Sequence, residues 1–192
     1  LKLAKGLLGE EDANFLGLLL IPKVLQAALS RQDIPKEQRR PFYLYVDEFQ
    51  NFATPDFAQM LSEVRKYGIG LVLANQFVSQ IDEQVRDAIF GNCGTLMTYR
   101  VGVQDAAILS KEFEGVFNET DLSNIPAQNI YVKTIVNGTP VPPFSMNVGR
   151  DLKAEKAQGS PEIARMVKEL SRLKFGRDVA EVSEEIEKRS NL

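Results

Sequence analysis

The chain has 192 residues, 44% of them hydrophobic and 26% charged, with a formal net charge of −3. This is an ordinary globular composition, long enough for one domain of usual size and a tail, which argues against wholesale disorder. A lone Cys93 and the absence of His exclude a disulfide framework, multi-cysteine zinc sites, imidazole bases and His–Asp triads.

Catalysis in such a chain has to run on carboxylates, Arg and Lys, hydroxyls and a bound Mg²⁺. The single cysteine reads as a reducing compartment. The acidic balance does not point to nucleic acid, although a local basic stripe on an acidic protein would suffice to bind it. Starting on Leu1 without Met, the chain reads as part of a longer protein.

In chain order, Leu1 to Gly6 reads as the end of a strand entering a turn. Glu10 to Ser30 is predicted as a mostly buried helix, kinked near Pro22. Its densest apolar run, Phe15 to Ile21, falls short of the roughly 20 residues that span a bilayer, so any membrane contact is expected only through segments outside this chain. Arg31 to Arg40 is polar and reads as a solvated loop. Phe42 to Val46 is the first clear strand.

Thr54-Pro55-Asp56 then supplies a helix start, with Thr as N-cap and Pro at the first helical position. Phe57, Met60, Leu61 and Val64 follow at amphipathic spacing until Gly68. Ile69 to Ala74 is predicted as a second strand, apolar throughout as parallel strands are. Val85 to Phe90 reads as a short helix stopped at Gly91, Thr95 to Val101 as a third strand and Val103 to Phe113 as a helix. This alternation predicts a parallel α/β sheet.

From Asn129 the texture changes to a hairpin around Asn137-Gly138, with Pro140, Pro142 and Pro143 making its second arm an edge strand at best. Ser160-Pro161 opens a helix that presents Ile163, Met166, Val167 and Leu170 on one face and ends at Gly176. Asp178 caps a last acidic helix.

The chemistry centres on Asp47-Glu48. Two adjacent acids repel and do not belong in a sheet core, so they are expected at the carboxyl end of a buried strand, where open α/β sheets bind ligands. Mg²⁺–nucleotide chemistry suits them: Asp47 would help hold Mg²⁺ and Glu48 would polarise the attacking water, the Walker B pattern. A strand ending on two acids at the solvent boundary is the plainer reading. No G-x-x-x-x-G-K-[ST] loop occurs in the sequence.

Gln76, at the exit of the second strand, could contact the γ-phosphate or simply face water. Arg65 could project into a neighbouring subunit's site as an arginine finger or simply favour a helix C-terminus. Arg100, after the third strand, is a second candidate, the alternative being an ion pair with Asp105. Asn51, Thr54 and Gln80 could touch phosphates, as residues of any loop could.

The ordered runs Leu44-Tyr45-Val46-Asp47-Glu48-Phe49-Gln50-Asn51-Phe52, Leu61-Ser62-Glu63-Val64-Arg65-Lys66-Tyr67-Gly68 and Leu73-Ala74-Asn75-Gln76 resemble the hexameric DNA-pumping ATPases of the HerA–FtsK superfamily. Among these, the TraG/TraD-like coupling proteins of type IV secretion and conjugation look most similar. Gly91 to Gly102 with Asp105-Ala106, and Pro143-Phe144, extend the resemblance over about Leu3 to Phe144.

The resemblance implies a RecA-like parallel sheet lacking its Walker A segment, to which the residues themselves add a C-terminal β-hairpin and a helical tail. Residues 1–148 would be the C-terminal portion of the motor domain and 149–192 a helical appendage. It implies Asp47 as the Mg²⁺ ligand, Glu48 as the catalytic acid, Gln76 as γ-phosphate sensor and Arg65 as a residue crossing the subunit interface; Arg100, read from its place after the third strand, is a further candidate nucleotide contact. Lys5-Gly6 would match the strand and turn before the long helix.

ATP and Mg²⁺ would be the cofactors. DNA, expected to be single-stranded, a homo-hexameric ring, and secretion-channel and relaxosome-type proteins would be the partners, at the cytoplasmic face of the inner membrane. The rival expectations are a soluble HerA- or FtsK-like translocase, a non-catalytic recruitment module, and an unrelated α/β domain.

Overall fold

A computed structural model describes residue 3 and residues 5–190. The chain divides into two compact units, Leu1–Val148 and Gly149–Leu192. The first described element is helix α1 (Lys5–Leu8), so helix stands at Lys5 and Gly6 where a turn is expected. Leu1, Lys2 and Ala4 lie outside the described residues.

Helix α2 (Glu10–Leu29) runs unbroken through Pro22. It is mostly exposed rather than mostly buried: only Ala13, Gly17 and Ala28 are inaccessible, while Phe15, Leu18 and Leu19 face outward. By length and composition alone this segment is apolar enough to cross a membrane, contrary to the shorter run read from the sequence. Its inner face nonetheless packs on the domain, with Ile21, Leu25 and Ala28 in the first core cluster. Gly17 sits so close to Phe52 that a Cβ there would lie 2.0 Å from the ring.

Strand β1 (Phe42–Val46) and strand β2 (Ile69–Leu73) form a parallel pair, in register from Phe42↔Ile69 to Val46↔Leu73. A parallel pair needs a crossover, which helix α3 (Pro55–Glu63) and a 3₁₀ turn (Val64–Tyr67) provide. Thr54 caps α3 by accepting the Phe57 amide at 3.2 Å. Gly68 ends the 3₁₀ turn in the left-handed conformation, φ 75°. Phe57, Met60 and Val64 are buried at the predicted spacing, together with Val46, Phe49, Ile69, Ile81, Val85 and Ile89.

Helix α4 (Glu83–Asn92), capped by Asp82, passes through Gly91 instead of stopping there. Strand β3 (Thr95–Thr98) ends sooner than expected and does not join the parallel pair. It pairs antiparallel with β4 (Asn129–Val136), which pairs antiparallel with β5 (Thr139–Asn147). The reason lies in its exposure: Thr95 and Met97 face solvent while Leu96 and Thr98 turn inward, the alternation of a sheet covered on one side.

Helix α5 (Val103–Glu112) and helix α6 (Glu119–Ser123), the latter closed by an Asn118–Asp121 capping box, build a second core from Ala106, Leu109, Phe113, Leu122 and Ile125. The hairpin turns at Asn137 and Gly138, both at positive φ (51° and 82°) as a two-residue turn requires. The register shifts by one between Val132↔Phe144 and Thr134↔Val141, placing Pro142 and Pro143 opposite Lys133 alone. The prolines thus sit in a bulge on an edge strand, where a missing amide hydrogen is tolerated.

The second unit holds helices α7 (Leu152–Ala157), α8 (Pro161–Phe175) and α9 (Val179–Ser190). Ser160 caps α8, Gly176 ends it, and Asp178 accepts the Ala180 amide at 2.9 Å. The first of these helices is not apparent in the sequence.

Candidate nucleotide-hydrolysis site

The apolar run of β1 ends at Val46, so Asp47 and Glu48 lie just beyond its carboxyl end. Two backbone bonds hold the neighbouring strand exits together: the Ala74 amide donates to Val46 O at 2.9 Å and the Phe49 amide to Ala74 O at 3.1 Å. Gln76, three residues past β2, is thereby brought to the acid pair, and its Nε2 donates to Glu48 Oε1. Gln50 Nε2 donates to Glu48 Oε2 at 2.5 Å, and Asn51 Nδ2 to Glu48 O at 3.1 Å.

Glu48 itself has φ 51° and ψ 42°, the left-handed region that non-glycine residues rarely occupy. Asp47 Oδ1 accepts the Glu48 amide at 3.0 Å and supports that turn. The conformation turns the chain sharply off β1 and leaves both Glu48 oxygens held by side-chain amides. A cleft of about 570 Å³ opens beside the acids, lined by Ala13, Gly17 and Ile21 of α2 and by Leu44, Val46 and Phe52.

Asp47 is exposed, and its carboxylate is the hard oxygen donor that Mg²⁺ takes. No cluster of three metal-binding side chains occurs among the described residues. Two buried polar atoms beside the acids, Gln50 Oε1 and Asn75 Nδ2, have no hydrogen-bond partner among the described residues. A polar ligand would satisfy such atoms. The acid pair and its surroundings therefore fit a magnesium-bound phosphate.

The arginines lie elsewhere. In a parallel pair both carboxyl ends share one edge, so Glu48 and Gln76 lie at one end and Arg65, before β2, at the other. Five-residue strands separate these ends by about 16 Å. Arg65 is exposed on its 3₁₀ turn and does not join the Glu48–Gln76 cluster. Arg100 is exposed beyond β3, in the other sheet, and also stands outside the cluster.

Asp105 does not pair with Arg100. It is buried and accepts the Ser79 amide at 2.8 Å, tying α5 to the loop after Gln76. Thr54 is occupied as a helix cap and Asn51 as a brace for Glu48. Cys93 is exposed, and desolvation pushes its thiol pKa up, which favours the neutral form.

Sequence reading missed Gln50, which a polar residue two positions past an acid could have flagged. It also missed Arg31 and Arg39, which grip backbone carbonyls rather than standing in a solvated loop.

The chain has an α/β fold with a two-stranded parallel sheet and a three-stranded antiparallel one, similar to the RecA-like domain of solved coupling-protein structures. The chain is similar in structure to the bacterial conjugative coupling protein TrwBΔN70 in its unbound monoclinic form, with 17% identity over 66% of this chain and 36% of that one (TM-score 0.53). It is also similar to the plasmid coupling protein TrwB in complex with ADP and Mg²⁺, with 19% identity over 70% and 38% (TM-score 0.54). The genome packaging NTPase B204 from Sulfolobus turreted icosahedral virus 2, in complex with AMPPCP, matches at 14% identity over 69% and 62% (TM-score 0.50).

Residues 41–113 match the family model described as the TraM recognition site of TraD and TraG. Over that segment the chain is similar to TraD and TraG. It spans little more than a third of the TrwB chains it resembles. No curated protein sequence matches it.

Proposed function

We propose that this chain is the C-terminal portion of a RecA-like motor that couples Mg-ATP hydrolysis to movement of DNA, single-stranded in the first instance, toward a secretion channel. The observation that carries the reading is the hydrogen-bonded Glu48–Gln76 pair at the shared carboxyl end of two parallel strands, beside the carboxylate of Asp47.

In this reading residues 1–148 belong to the motor and 149–192 form an appendage. Asp47 holds Mg²⁺, which supplies charge neutralisation on the phosphates when bound. Glu48 orients and polarises the attacking water. Gln76, bonded to Glu48, links the γ-phosphate's presence to the acid's position. Arg65 lies too far from its own Glu48 to act on the same nucleotide, so it serves a neighbouring subunit in a homo-hexameric ring. Arg100 is a further nucleotide contact. The ring would work at the cytoplasmic face of the inner membrane with relaxosome-type and channel proteins.

The reading is supported by the coupling-protein and packaging-NTPase likenesses. A second reading, a recruiting module, draws on the description of the matching family as a recognition site.

Steady-state ATPase assays on the complete protein, with and without DNA, separate the two. The Glu48→Gln variant is expected to bind nucleotide with near wild-type affinity while kcat falls by at least about 10²-fold, the scale of losing a catalytic acid–base group. Wild-type turnover by that variant would end the assignment of Glu48. A wild type inert with and without DNA would leave the recruiting module.

A further inference from the structure

We infer that Arg31 and Arg39 are positioning residues that hold the turn presenting Arg65. This rests on the reading of Arg65 as a cation delivered to a neighbouring subunit's phosphates. The last carbonyls of a helical segment lack an internal partner. In the segment Val64–Tyr67 all four are taken. The Gly68 amide serves the carbonyls of Val64 and Arg65. Arg39 Nη1 donates to Lys66 O at 2.5 Å, and Arg31 Nη1 to Tyr67 O at 3.2 Å.

The same guanidinium groups hold the loop they come from. Arg39 Nε donates to Ile34 O at 2.8 Å and its Nη2 to Gln32 O at 3.2 Å. Arg31 Nη1 also donates to Arg40 O at 3.0 Å. Arg39 further lies 5.5 Å from the centre of the Tyr67 ring, within cation–π range.

Residues 30–40 and 64–68 are therefore strapped together by the arginines. Both straps end on the two residues that directly follow Arg65. The Arg65 side chain is left exposed on a backbone fixed in advance. That is what a group that must meet a partner's phosphates at short notice requires, because catalytic groups lose most of their effect when displaced by about 1 Å. Lysine cannot replace Arg39, whose Nε, Nη1 and Nη2 reach three carbonyls at once: an ammonium is a point charge without that planar fork.

The test is a double-mutant cycle on the complete protein, read as kcat and KM for ATP. Arg39→Ala is expected to lower kcat by at least about tenfold with KM changed by less than about twofold. Arg39→Lys should behave like Arg39→Ala. In an Arg65→Ala background, Arg39→Ala should cost less than about twofold more, because its effect passes through a group already removed. Where Arg65→Ala leaves no measurable turnover, the kcat of Arg39→Ala and the hydrogen-exchange result decide together.

Wild-type kcat in Arg39→Ala beside an impaired Arg65→Ala overturns the inference, and so do losses that multiply. Wild-type kcat in Arg65→Ala overturns instead the reading on which it rests. Hydrogen exchange on this chain gives a readout apart from activity. Arg39→Ala should speed exchange at the Gly68 amide and leave β1 and β2 protected. Loss of protection throughout would make the arginines general fold supports and defeat the proposal.

Discussion

Glu48 occupies a backbone conformation that costs a non-glycine residue about 1–2 kcal/mol. It is held there by its own amide on Asp47 and by the amides of Gln50 and Gln76 on its carboxylate. Strain of this kind concentrates where a side chain has to be aimed. Gly17 is the opposite case, a residue chosen for what it lacks. A methyl group there would lie 2.0 Å from Phe52 Cε1, so Gly17→Ala should destabilise the first unit by about 1–3 kcal/mol, the usual cost of overpacking. The check is the midpoint of urea unfolding; an unchanged midpoint would mean that Phe52 swings aside freely. At this scale Glu48 and Gln76 were legible in the sequence, since each closes an apolar run with a polar group at a strand exit. Arg31 and Arg39 were not, because their acceptors are backbone carbonyls, some of them 27 and 36 positions away, that no residue type announces.

Elements with a local signature came through intact. Phe42–Val46 is bounded by Pro41 and Asp47, and α3 by its Thr54-Pro55 start. That start has a measurable share in stability. Thr54 Oγ1 takes the amide of Phe57, a residue at the centre of the first core, so Thr54→Ala should cost about 1 kcal/mol and lower the melting temperature. A Thr54→Ser variant, which keeps the acceptor, should recover most of it. Elements whose partner is distant were misread. A helix apolar on most sides reads as buried, yet only the face carrying Ile21, Leu25 and Ala28 packs on the first core. Likewise β3 was legible as a strand, but its pairing with residues 131–134 is a non-local choice.

Across the whole first unit, the parallel pair sets a polarity. One end carries the acid pair with Gln76 and the other the Arg65 turn, with the arginine straps beside it. Under the proposed function, chemistry that uses both ends joins two copies. Mixing Arg65→Ala with Glu48→Gln subunits, each inactive alone, should restore part of the ATPase activity of the complete protein, because some interfaces regain both groups. The measurement is turnover against mixing ratio, and a flat line at the level of the parents would speak against delivery in trans.

The bulged edge strand bears on how such copies can meet. Three of the nine residues of β5 are prolines, and none of these offers an amide hydrogen to a further strand. The antiparallel sheet therefore has a blunt side that resists extension by another chain, a protection against fibrous aggregation. On that side, neighbouring copies would have to meet through side chains, which can separate and re-form, rather than through a shared ladder of backbone bonds.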